Sequence, residues 1–180
     1  VIVNTSVAIA RKGHSVILVD LCPFMSDTGT LLGVQAGHTI GELLQNSNGV
    51  LEREELEAVI TRHSSGVQLL CGQQSAEEPH ELTHNDIEIL FQELNGMAEY
   101  VLIDLPAFSN ELMGDILKKC DVVGLVTGSD AGSLARGISL TEFALSGNIL
   151  TFRIESTSGG RWSVRRSATG KVYLRPYAGG

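Results

Sequence analysis

Apolar positions recur along this chain with two different periods. Val3, Val7, Ile9 and Ala10 lie at helical spacing, and the segment stops at Arg11-Lys12-Gly13. Cations suit the end of a helix and glycine suits the position just past it. Residues 16–19 are apolar without a break, which predicts a strand buried on both faces. Residues 23–33 are rich in turn formers and predict a loop. Thr39, with Glu42 three residues later, predicts a capping box that opens a short helix ending at Leu44. A second helix is expected over 52–62 and a short strand over 68–71. Ile87, Leu90, Phe91 and Leu94 mark an amphipathic helix over 83–94, capped by Thr83 or Asn85. Residues 100–103 predict another buried strand, and 110–119 a helix whose two closing lysines suit its dipole. A third apolar strand over 122–127 and a helix over 133–145 follow.

Fully apolar strands alternating with helices predict an α/β fold, a parallel β-sheet with helices on both faces. Right-handed crossovers would bring the carboxyl ends of the strands to one edge. Asp20, Asp104 and the Gly128-Ser129-Asp130 turn would share that edge. After Asn148 the pattern changes. Residues 151–154 read as a strand, 162–164 and 172–174 as a hairpin, and the connecting stretch is rich in Ser and Gly. The chain therefore divides into a domain over 1–148 and a tail over 149–180, read as a small antiparallel appendage or an unfolded extension.

The length of 180 residues suffices for one compact domain with a sizeable core. No apolar run is long enough to span a bilayer and no signal-peptide pattern is present, which reads as cytoplasmic. The opening residues look like the middle of a helix, and a natural start would carry Met, so the chain reads as a piece of a longer one. The net charge of −8 disfavours a nucleic-acid-binding surface. The tail is the exception: Arg153, Arg161, Arg165, Arg166, Lys171 and Arg175 face only Glu155 in sequence. Cys22, Cys71 and Cys120 form no ligand spacing, so neither structural zinc nor a disulfide framework is expected, and Cys71 and Cys120 read as buried thiols. His80 and His84, four apart beside Glu81, are the weakest candidate for a metal site.

The stronger candidate chemistry lies where the strands end. Tyr100-Val101-Leu102-Ile103-Asp104-Leu105-Pro106 closes a buried strand with an acid and then a proline, and Val16-Ile17-Leu18-Val19-Asp20-Leu21-Cys22-Pro23 repeats the pattern. In open parallel sheets ligands bind beyond the carboxyl ends of the strands. An Asp there is where a nucleotide's Mg²⁺ is held. The plainer reading is a strand followed by a turn. A nucleotide-hydrolysing site also needs a Gly-rich loop with Lys, and no such loop occurs in the sequence. Gly159-Gly160 precedes no helix and does not replace it.

The chain resembles the ParA/MinD family of deviant Walker ATPases, and within it the CpaE/TadZ branch associated with pilus assembly and polar localisation. Asn4-Thr5-Ser6-Val7-Ala8-Ile9-Ala10 is similar to the helix after that family's phosphate loop, and 13–21 to the strand that follows. Ser26-Asp27-Thr28-Gly29-Thr30-Leu31-Leu32-Gly33 and His38-Thr39-Ile40-Gly41-Glu42-Leu43-Leu44 resemble CpaE-like elements. Residues 100–106 resemble the Walker B strand, and 121–127 with Ser133-Leu134 the next strand and helix. The resemblance covers roughly 1–147, and the order of the matches is more specific than any one of them.

The resemblance implies ATP and Mg²⁺ as cofactors, with a homodimer formed through the nucleotide face. It places Asp104 and Pro106 at the nucleotide and Asp104 on Mg²⁺. Asp20 supports the switch loop and meets Mg²⁺ indirectly through its bound water. The implied partners are pilus-assembly or polarity proteins, and the implied location is cytoplasmic with recruitment to a pole or the inner membrane face. Three departures qualify this. The phosphate-loop Lys would lie about three positions before Val1, so residues 1–180 are expected to bind neither ATP nor Mg²⁺ tightly. Cys22 stands where the family keeps a second, water-positioning Asp, leaving Asp27 as the nearby carboxylate to replace it. The tail carries neither the family's Asn-containing base motif nor an amphipathic membrane helix. Two functions remain open: a nucleotide-dependent switch, or a scaffold of the same fold that has lost hydrolysis. An iron-protein reading fails because residues 105–116 hold no Cys. A dehydrogenase reading fails because no G-x-G-x-x-G follows the first strand.

Overall fold

Helix α1 (Ile2–Arg11) leads into strand β1 (Val16–Asp20) through Gly13, whose φ of 90° lies where residues with a side chain rarely go. The computed structural model describes residues 1–22, 26–47, 49–72, 81–106, 110–128, 130–146, 152–156, 161–166 and 172–176. The chain divides into two compact units, Val1–Ala107 and Phe108–Gly180.

In the first unit, helices α2 (Thr28–Leu32), α3 (Ile40–Asn46) and α4 (Arg53–Val59) follow β1. Strands β2 (Thr61–Arg62) and β3 (Val67–Leu70), helix α5 (His84–Leu94) and strand β4 (Tyr100–Asp104) complete it. The sheet runs β2-β3-β1-β4, with β1 parallel to both β3 and β4 and only β2 antiparallel. Every residue of β1 is buried, as its unbroken apolar run predicts. Val16 and Leu18 pack with Val67, Leu69 and Val3 of α1 on one face. Ile17, Val19 and Leu70 project to the other and are equally buried. Each such side chain removed from water contributes about 1.5–3 kcal/mol.

The strand starts are clipped together at the end of the sheet away from the acids. The Ser15 N–H donates to Glu99 Oε2 at 2.9 Å, and the Glu99 N–H donates back to Ser15 Oγ at 2.9 Å. His14 Nδ1 stands 3.2 Å from Glu99 Oε1. The Ser15 N–H and then His14 hold the Glu99 carboxyl below its usual range. This clip starts a register that runs Val16↔Tyr100 to Asp20↔Asp104.

Two local expectations are corrected. Within the expected loop, Thr28–Leu32 forms one helical turn closed by Gly33 in the left-handed region at φ 69°, and it buries Thr28, Gly29 and Leu32. Tertiary burial overrides a segment full of turn formers. The helix expected over 52–62 stops at Val59, Ile60 is extended, and Thr61 and Arg62 pair with Leu69 and Gln68. The β-branched run Val59-Ile60-Thr61 favours strand, and Gly66 at φ 93° makes the tight return. Thr83, not Asn85, caps α5, in a reciprocal box with Asp86. The Thr39–Glu42 box of α3 is present as expected.

The second unit contains α6 (Glu111–Lys119), β5 (Val123–Thr127), α7 (Ala131–Ser146), β6 (Phe152–Ser156), β7 (Arg161–Arg166) and β8 (Val172–Pro176). Asn110 caps α6 by accepting the Met113 N–H at 2.8 Å. The sheet order is β5-β6-β7-β8, with β5 parallel to β6 and the remaining pairs antiparallel. The third apolar strand thus heads the sheet of the second unit. Among the described residues, no helix is long and apolar enough to cross a membrane.

Candidate functional site

Strands β1 and β4 end side by side, and their last residues are both acids. Asp20 pairs with Asp104 in register, and the Leu21 N–H donates to the Asp104 carbonyl at 3.0 Å. Asp20 is buried to 1% exposure, while Asp104 and Cys22 are half-buried. Asp20, Cys22 and Asp104 each bring a ligand-capable atom within 4.8 Å of the others, the one such group among the described residues.

Asp20 is a loop organiser. Its Oδ1 accepts the Cys22 N–H at 2.9 Å, the geometry of an Asx turn. Its Oδ2 accepts the Thr28 hydroxyl at 2.7 Å and the Ser26 hydroxyl as well. A buried carboxylate is tolerable when its lone pairs are filled in this way. Ser26 and Thr28 were not singled out in the sequence; the available signal was two hydroxyl residues flanking Asp27 after a strand-ending acid. Asp27 stands at the start of α2, accepts the Leu31 N–H on its carbonyl at 2.8 Å, and makes no side-chain cap. Its charge reaches both Cys22 and Asp104.

Asp104 is the more available acid. Burial, then the charges of Asp20 and Asp27, push its carboxyl above the usual range. The Leu105 N–H draws it partly back. Burial, followed by the charges of Asp20 and Asp104, pushes the Cys22 thiol up to about 12. With no ion bound it is a neutral S–H at physiological pH, unfit as a thiolate nucleophile.

The donor set fits a hard divalent cation. Mg²⁺ takes oxygen ligands and keeps several waters. Here carboxylates crowd against one another with hydroxyls beside them, and the one sulfur is protonated. Asp104 would hold such an ion directly. Asp20, with both oxygens already accepting, would reach it through the hydroxyls or a water. Pro106, two residues beyond Asp104, is half-buried. Of the third expected member of this edge, Ser129 lies outside the described residues. Asp130 belongs to the second unit, where it accepts the Ser133 N–H at 2.9 Å, and its carboxyl is held low by the Ser133 hydroxyl and then that N–H. His80 of the expected histidine pair also lies outside the described residues.

The family model of the cellulose biosynthesis protein BcsQ matches residues 1–151. No curated protein matches the chain in sequence. Among solved structures, the ParA family ATPase from Chlorobium tepidum TLS superposes with a TM-score of 0.72 at 17% identity, over 86% of this chain and 67% of that one. The septum site-determining protein MinD complexed with Mg-ADP, from Pyrococcus horikoshii OT3, gives 0.65 at 21% identity, over 86% and 62%. The MinC:MinD cell division complex from Aquifex aeolicus gives 0.68 at 18%, over 86% and 61%. The chain thus spans less than two thirds of the length of these two MinD structures. At such identities the likeness carries the fold, a mostly parallel α/β arrangement of the ParA/MinD type.

Proposed function

The chain belongs to the cellulose biosynthesis protein BcsQ family, and from that membership and the Asp20–Asp104 edge we propose that it works as a nucleotide-dependent switch of the ParA/MinD kind. The observation that carries this reading is the in-register pairing of two strand-ending acids. Strand-end acids favour the Mg²⁺ of a bound nucleotide. A bound Mg²⁺ would supply charge neutralisation at the nucleotide phosphates. Asp104 would hold that ion, with Pro106 shaping the chain beyond it. Asp20 keeps Cys22, Ser26 and Thr28 in one arrangement, so a change at its carboxylate is felt along the segment leading into α2. The switch would act as a homodimer through the nucleotide face, recruited to a pole or the inner membrane face. The family description favours work on a cellulose-producing assembly. The CpaE-like elements at 26–33 and 38–44 favour pilus assembly as the neighbouring possibility within the same class.

Cys22 favours a second reading, a scaffold that has kept the fold and lost hydrolysis. A neutral thiol is a poor acceptor for orienting an attacking water. Titration of the native-length protein with a fluorescent ATP analogue, with and without Mg²⁺, tests the first reading. Saturable Mg²⁺-dependent binding, weakened at least tenfold by Asp104→Ala, is expected. Binding indifferent to Mg²⁺ and to Asp104 would sink it. Turnover then separates the two readings: on the switch reading Cys22→Asp raises hydrolysis by a factor on the order of 10², and on the scaffold reading it leaves turnover at background.

A further inference from the structure

Gly72 lies two residues beyond the end of β3, and a Cβ on it would stand 2.9 Å from the Asp20 carbonyl oxygen, 2.9 Å from Asp20 Oδ1 and 3.0 Å from its Cγ. Gly72 is not one of the glycines with a positive φ, so its backbone would accept any residue. What excludes a side chain is space. Neither wall has room to retreat. The Ile40 N–H donates to the Cys71 carbonyl at 2.8 Å, and Cys71 is fully buried, which holds the end of β3. On the other side, the bond from the Leu21 N–H to the Asp104 carbonyl holds the end of β1 against β4. One of the three close contacts is backbone, which does not rotate away as a long side chain would.

We infer that Gly72 is a positioning residue for Asp20: the space above its α-carbon is where the Asp20 carboxylate rests, and that seat lets one carboxylate tie Cys22, Ser26 and Thr28 together. The atom that a side chain at 72 would meet, Oδ1, is the atom that accepts the Cys22 N–H. A methyl group there pushes the carboxylate out of its seat and releases that amide first. The Ser26 and Thr28 hydroxyls lose their shared acceptor next. The consequence for Mg²⁺ and nucleotide rests on the function proposed above, but the geometry does not.

Amide hydrogen exchange in the native-length protein, without nucleotide or Mg²⁺, tests the inference. Gly72→Ala should speed exchange at Cys22 roughly tenfold or more, since a hydrogen bond to a charged acceptor is lost. Exchange over Val67–Leu70 should hardly move. In an Asp20→Ala background the Cys22 amide already exchanges fast, and adding Gly72→Ala should change it little. Unchanged exchange at Cys22, acceleration spread equally through β3, or additive effects of the two substitutions would each overturn the assignment. If Gly72→Ala is too unstable for exchange to be read, the melting temperature answers. Asp20→Ala placed on top should recover part of the loss, because it removes the Oδ1 and Cγ contacts. No recovery means that Gly72 serves β3 alone. A wild-type protein that binds no nucleotide would sink the proposed function while leaving this result standing.

Discussion

Asp104 works against the stability of the protein that carries it. Its carboxyl is raised by burial and by Asp20 and Asp27, so its charged form is worse off folded than unfolded. For an acid raised on folding, the folded state binds more protons, and stability falls as pH rises from the ordinary carboxylate value, about 3.9, through the raised one. With divalent ions chelated, Asp104→Asn should therefore melt a few degrees higher than wild type at pH 7, and the gap should close as pH falls towards 4. Thermal melts across that range check this; a variant less stable at pH 7 would contradict it. Strain of this kind concentrates at functional sites. Cys22 sits in the same field, and its neutrality has the same cause as the rise at Asp104. The placing of the acids Asp20, Asp27 and Asp104 at or after strand ends was legible in the sequence. Ser26, Thr28 and Gly72 were not, because nothing local in a Ser, a Thr or a Gly says which distant carboxylate it will meet.

At the scale of elements, capping decided more than propensity. Thr83 accepts the Asp86 N–H at 3.2 Å while Asp86 accepts the Thr83 N–H and hydroxyl at 2.8 Å each. Arg53 of α4 closes the other end of α5 by donating to the Glu93 carbonyl at 3.3 Å and the Asn95 carbonyl at 3.0 Å. Helix α5 is thus held at both ends, and it supplies the fully buried Leu90 and nearly buried Ile87 to the core. Thr83→Ala should cost about 1 kcal/mol, measured as a shift in the denaturant midpoint with an unchanged slope. A neutral result would mean that tertiary packing alone holds the helix start. Boundaries marked by paired signals, such as Thr39 with Glu42, were readable in sequence. The short elements α2 and β2 were not. A single helical turn and a two-residue strand carry too few residues for a period to show, and each exists because of what it packs on or pairs with.

The whole molecule carries a net charge of −8, and part of it converges on one sheet edge. Added salt should stabilise such a chain by screening its self-repulsion. At matched ionic strength, MgCl₂ should raise the melting temperature further than NaCl does, and Asp104→Asn should lose that excess. Coincident curves for the two salts would argue against a cation site at this edge. The sequence by itself determined the alternation of helices and strands, the two-sided burial of β1, and the placing of acids where those strands stop. Those features rest on periods of two and 3.6 residues, which any short window contains. Only the tertiary structure decided that Asp20 lies in register with Asp104, that β5 joins β6 in a separate sheet, and that Gly72 passes under the Asp20 carboxylate. Register and close approach link residues far apart in the chain, and they are settled when strands pair and side chains compete for the same space.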